Sequence, residues 1–221
     1  MVKIEKFDLL VSAYILCITL SEIMGVKTFP LVKLFGYQLN ASVAILILPI
    51  IFTINDIITE VHGKERAKSV VRSGLVAVIG IIVFSFIATV LPPSVRFSPT
   101  EKAYDTIFGF SIRISAASLT AFALAEFLDI FVFAKLRQLF GKRRLWLRNN
   151  VSNFVSQFVD TTVFMSLAFW ALDKPFHNNV TFLLSVIIPY WLLKCFMSVI
   201  ETPFVYIGVS WLKKDLKNKS Q

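Results

Sequence analysis

Nine side chains able to ionise or to donate and accept hydrogen bonds interrupt stretches that are otherwise strongly apolar. They are Asp56 and Glu60, Glu126 and Asp129, Asn153, Gln157 and Asp160, then Lys194 and Glu201. An Asp at the middle of a bilayer costs about 2.5–3.5 kcal/mol, so such groups persist by facing a bundle interior, by pairing, or by lining a wet cavity. Their spacing is helical. Asp56 and Glu60 are four apart with Asn55 beside them, and Glu126 and Asp129 are three apart. Asn153, Gln157 and Asp160 fall at i, i+4 and i+7, one stripe with Ser156 and Thr161 on its shoulders. Trp191, Lys194, Ser198 and Glu201 fall at i, i+3, i+7 and i+10, again one face.

Carboxylates accept hydrogen bonds, amides both donate and accept, and aromatic rings stack on planar solutes. A cavity walled by these groups and by the many Phe and Trp residues suits a flat, nitrogen-rich solute such as a nucleobase. It suits a cation or a proton path equally. Plainer roles compete with these. Glu60 could be balanced by Lys64 at i+4 as an interfacial cap, Asp129 could pair with the basic segment beyond Lys135, and Lys194 could form a structural ion pair with Glu201.

The elements that hold these groups are transmembrane helices. Hydrophobic residues make up 56 % of the 221 positions and charged ones 17 %, where a soluble domain is nearer half and a quarter. Apolar runs long enough to cross a bilayer of about 30 Å predict spans at 9–25, 41–59, 74–91, 114–133, 151–172 and 181–209, the last tilting or bending at Pro203. The expected fold is an all-α integral membrane protein: one domain over residues 1–221, a bundle of six transmembrane helices. Short alternating strands, the signature of a membrane barrel, are not evident. Connections are short, except the one opening "PPSVRFSPTEKAYD" after Leu91.

Lys and Arg set the orientation. Sixteen of the 23 fall at the two ends, in Lys64–Arg72 and in Lys135–Arg148; six fall in the alternate connections, and Lys194 lies within a span. The positive-inside bias places both termini in the cytoplasm. Topology thus accounts for the net charge of +9, and no nucleic-acid partner is expected. Asp8 and Glu22 and the lack of a small-x-small site favour a retained first helix over a cleaved signal peptide. Cys17 and Cys195 lie inside spans and support no disulfide framework.

An enzyme is not expected. His62 and His177 fall on opposite sides of the membrane in this topology, and no HExxH, GxSxG or P-loop motif is present. Neither a metal nor a cofactor is called for. A Ser–Lys or Lys–Glu intramembrane hydrolase is the one catalytic arrangement left. "EFLDIFVF" (126–133) resembles "QFVDTTVF" (157–164) on a helix expected to run the opposite way, an arrangement that an inverted repeat around a shared site would produce.

Two ordered blocks carry a wider resemblance. "NDIITEVHGKERAKSVVRSG" and "AEFLDIFVFAKLRQLFGKRRLWLRNNVSNFVSQFVDTTVFMSLAF" resemble the signature blocks of the vitamin uptake transporter family, also called queuosine precursor transporters. The likeness covers most of 41–169. It implies a bacterial inner-membrane, multi-pass importer of 7-deazaguanines such as preQ0 and preQ1, working as a self-sufficient secondary transporter. Two other classes stay open: the substrate-binding membrane subunit of an ATP-driven (ECF-type) vitamin importer, and an ion or proton channel. Under the resemblance, Asp160 or Asp56 would accept the ring N–H and exocyclic amino group of the base. Asn153 and Gln157 would read its carbonyl edge, and Glu126 or Glu201 would hold an aminomethyl charge. Glu60, Asp129 and Lys194 are left for ion pairing or coupling.

Overall fold

A computed structural model describes residues 5–34, 36–140 and 145–219. Within its helices, the side chains of Glu126, Asp129, Asn153 and Ser198, among others, lie outside the described residues. Six α-helices are described: α1 (Lys6–Met24), α2 (Leu48–His62), α3 (Lys64–Val90), α4 (Glu101–Phe140), α5 (Leu145–Phe169) and α6 (Phe176–Lys219). Strands β1 (Thr28–Leu34) and β2 (Tyr37–Ser42) form a two-stranded sheet.

Among the described residues, four stretches are long and apolar enough to cross a membrane: Lys6–Met24, Lys64–Val90, Ser98–Ala125 and Phe176–Phe196. A shorter apolar helix covers Phe154–Phe169. The second expected span is reduced to the 15 residues of α2, about 22 Å of helix. Val76, Phe84, Phe86 and Val90 on α3 are all well exposed, a lipid-facing surface rather than a solvated one.

The hairpin is a local addition to the helical fold that the apolar runs did not announce. Thr28, Phe29, Val32 and Tyr37 favour extended backbone, and Gly36 at φ 82° supplies the left-handed turn residue between the strands. The uncharged run from Ala41 had masked the boundary. Ala41 and Ser42 end β2, and the Ser42 hydroxyl accepts the Ala44 N–H at 3.2 Å to open a 3-10 turn before α2. Two further boundaries differ. Gly63, at φ 83°, ends α2 with its N–H on the Thr59 carbonyl, and α3 starts at the next residue. The basic stretch 64–72 is therefore the first turns of α3, as its Lys, Arg, Glu and Ala content favours. The break also removes the i,i+4 relation expected of Glu60 and Lys64. Similarly, α4 begins at Glu101 behind a 3-10 turn at Ser98–Thr100, so most of the long connection is helical.

Contacts divide the chain into two compact units. The first comprises residues 1–27, 42–112 and 196–221. Its core is Tyr14, Ile54, Ile58, Ala67 and Val70, with Phe7, Leu10 and Ile18 packed around them. Lys6 donates to the Trp211 carbonyl at 2.7 Å and lies 4.8 Å from the Trp211 ring centroid, tying the start of α1 to the end of α6.

The second unit comprises residues 28–41 and 113–195, with Ile114, Ala117, Ala121, Met165, Val186 and Tyr190 buried. Its helix junctions are closed by side chains. Buried Asn179 accepts from the Ala171 N–H and donates to the Ala171 and Lys174 carbonyls, at 2.8–3.1 Å. Arg113 donates through Nε to the Leu167 carbonyl and through Nη2 to that of Trp170, at 2.8 and 2.5 Å. Carbonyls that a helix C-terminus leaves unpaired are thereby satisfied. The hairpin is held by Asn40 Nδ2, which donates to Ser185 Oγ at 2.8 Å, and by the Tyr37 hydroxyl on the Thr181 carbonyl.

Candidate functional site

In the first unit, close packing of α2 on the C-terminal half of α6 puts two acids together. A Cβ at Gly208 would clash with Cδ1 of Ile57 and lie 2.8 Å from its Cγ1, so any larger residue here would force the Ile57 side chain to shift. Asp56, one residue before Ile57, meets Glu201 here, carboxyl to carboxyl. The pair lines a cavity of about 640 Å³ with Thr59, Glu60, Thr202, Val205, Tyr206, Val209, Ser210 and Lys213. That size is within the usual range for small-molecule sites. Glu201 is only 6 % exposed and its Oε2 is buried without a hydrogen-bond partner among the described residues. Asp56 and Glu60 are exposed.

At the start of α3, the edge of Phe7 meets the His62 ring at a centroid distance of 4.6 Å, and the Arg66 guanidinium lies 4.9 Å from the Phe7 centroid. Burial first, and then the Arg66 charge, hold the His62 imidazole below its ordinary value.

In the second unit, Lys194 on α6 pairs with Asp160 on α5, Nζ to Oδ2 at 2.5 Å, with the two side chains 14 % and 27 % exposed. Glu201 was one possible partner for Lys194 on spacing alone. Seven residues of one helix separate those two by about 10.5 Å of rise, whereas α5 presents Asp160 directly. Trp191 stands one turn before Lys194, flanked edge-on by Phe154 and Phe158 at 4.7 and 5.3 Å.

Of the residues expected to bind a solute, Asp56 and Glu201 share the first unit's cavity, together with Glu60. Asp160 is held by Lys194, and Gln157 on the same helix is half-buried. The side chains of Glu126, Asn153 and Asp129 lie outside the described residues. Sequence reasoning missed Thr202, Tyr206, Ser210 and Lys213. Their spacing of four, four and three is a polar helical stripe; Thr202 and Tyr206 fall inside the expected span, and carrying it past Val209 would have added Ser210 and Lys213.

A family model described as "Putative vitamin uptake transporter" matches residues 42–208, a stretch that holds the three acids of the cavity and both partners of the ion pair. The chain belongs to this family. It is 32 % identical over 197 residues to the "Probable queuosine precursor transporter" of Bacillus subtilis (strain 168), covering 88 % of this chain and 81 % of that one. It is 28 % identical over 141 residues to the "Probable queuosine precursor transporter" of Haemophilus influenzae, covering 63 % and 57 % of the two chains. Against the "Queuosine precursor transporter" of Escherichia coli (strain K12) the identity is 27 % over 131 residues, covering 58 % and 55 %. No solved structure matches the fold. Membership and the apolar helices together make this a multi-pass helical membrane protein of a transporter family.

Proposed function

We propose that this chain imports 7-deazaguanine precursors of queuosine across a bacterial inner membrane, as a self-sufficient secondary transporter. The observation that carries this reading is the Asp56–Glu201 cavity, whose acids lie in the family-matched region of a chain whose relatives are named for queuosine precursor transport. A 7-deazaguanine presents a ring N–H beside an exocyclic amino group. One carboxylate accepts that fork with both oxygens, as it accepts Arg. Asp56, exposed where Glu201 is buried, is the group for it, and Tyr206 offers a ring for stacking. Asp160 takes the structural part, as the partner of Lys194.

Six crossings with both termini cytoplasmic fit the basic residues, and the Lys6–Trp211 contact supports ends on one side. Under that topology the Lys213 end of the cavity faces the cytoplasm. The test uses a bacterium unable to make queuosine and lacking its own importer. Expression of this chain alone, with nanomolar precursor supplied, should restore queuosine to tRNA. No restoration with the protein present in the membrane would overturn the self-sufficient reading, and rescue only with an added ATPase would replace it with a binding subunit.

A further inference from the structure

The carboxyl pair carries an inference that rests on the proposed function and deepens it. Two ionised carboxylates in contact repel, and a buried carboxylate oxygen with no donor is costly. The Asp56–Glu201 contact has both features, since Glu201 Oε2 lacks a partner and Glu201 is almost wholly buried. The other ionisable groups lining the cavity are Glu60, Tyr206 and Lys213. Among the described residues, the cavity's lining holds one lysine and three acids, so its acids outnumber its cations. One proton shared by Asp56 and Glu201 relieves the repulsion.

That protonation state also has a shape. A neutral Glu201 offers an O–H donor, and an ionised Asp56 beside it offers two acceptor oxygens. The edge of a guanine-type base reads carbonyl oxygen, ring N–H, amino group: acceptor, donor, donor. The two patterns are complementary. We propose that Asp56 and Glu201 hold one proton between them, that this singly protonated pair recognises the base, and that base and proton are therefore imported together. A doubly ionised pair has no donor for the carbonyl. A doubly protonated pair loses the bidentate acceptor. Base and proton each raise the affinity for the other by the same factor. An adenine-type edge, with an amino donor where the guanine-type edge has its carbonyl, is rejected by the same arrangement.

The test uses the purified full chain in liposomes with labelled 7-deazaguanine precursor. Two quantities are read: counterflow with no gradient, and accumulation driven by acid outside. Wild type should show both. Glu201→Gln keeps a donor for the carbonyl but has no proton to release, so gradient-driven accumulation should fall far more than counterflow does. Asp56→Asn sets a donor against the fork, and counterflow should fall by about tenfold or more, as loss of charged hydrogen bonds does. Base added to wild type in weakly buffered micelles, at a pH where the pair is largely ionised, should draw protons from solution, as read by an indicator dye. Counterflow without a response to the gradient overturns the coupling alone, as does wild-type accumulation by Glu201→Gln or base binding with no proton uptake at any pH. Absence of counterflow in the wild type overturns the transport function, and this proposal with it.

Discussion

The Lys194–Asp160 pair offers the sharpest test of how this chain tolerates charge inside its helices. Nζ and Oδ2 are 2.5 Å apart, and both side chains are less than one third exposed. Removing one partner from such a pair leaves an uncompensated charge and costs about 3–5 kcal/mol. Asp160 keeps 27 % of its exposure, so Lys194→Met should sit near the low end, about 3 kcal/mol or roughly a hundredfold in the folded-to-unfolded ratio. Asp160→Asn leaves an ammonium group instead and should cost a similar amount. The double variant removes both charges, and replacing a whole buried pair is often close to neutral. It should therefore recover most of the loss, so that the coupling energy across the cycle approaches the sum of the two single losses. Reversible unfolding in mixed micelles supplies the four stabilities, and precursor uptake by the double variant is measured alongside. Uptake should be retained, because Asp160 serves the ion pair. If the two single losses simply add in the double variant, the electrostatic argument fails. If the double variant is stable but transports nothing, the structural role given to Asp160 fails.

Two other predictions concern packing and pH. Gly208→Ala drives a Cβ into Ile57 and should cost about 1–3 kcal/mol by overpacking; Ile57→Ala in the same chain should return part of it, read as thermal stability in detergent, because room is made on the facing helix. His62 is held below its ordinary value of 6.5 by burial and by Arg66, so above pH 6.5 both folded and unfolded states carry it neutral and its stability contribution is complete. As pH falls from 6.5 towards the folded value, the unfolded state binds the proton first and stability declines. His62→Tyr, which keeps a ring against Phe7, should flatten that part of the stability–pH curve; an unchanged slope would assign the acid sensitivity to another group.

Helices and intramembrane acids were legible in the sequence because each leaves a local mark: an apolar run has a length, and a carboxylate within it has a cost. Asp56 and Glu201 could be named from that cost alone. Their partnership could not, since nothing in a linear spacing says that α6 brings Glu201 to α2; that depends on Gly208 admitting Ile57, a fact of close approach. The same limit applies to Lys194: sharing a helical face with Glu201 left that acid open as a partner, and the acid it meets, Asp160, lies on another helix.

The hairpin failed for a different reason. Thr28–Leu34 has few polar alternations, and an uncharged run follows β2, so hydropathy alone absorbed its end into a span. Gly36 was the available signal, a positive-φ residue between two β-favouring segments. Local pattern therefore located the groups that could do chemistry, and glycines decided which of them meet. This makes Gly208 as much a part of the site as either acid: its substitution should disturb the Asp56–Glu201 contact without touching a polar atom, a loss of function that no inventory of ionisable residues would anticipate.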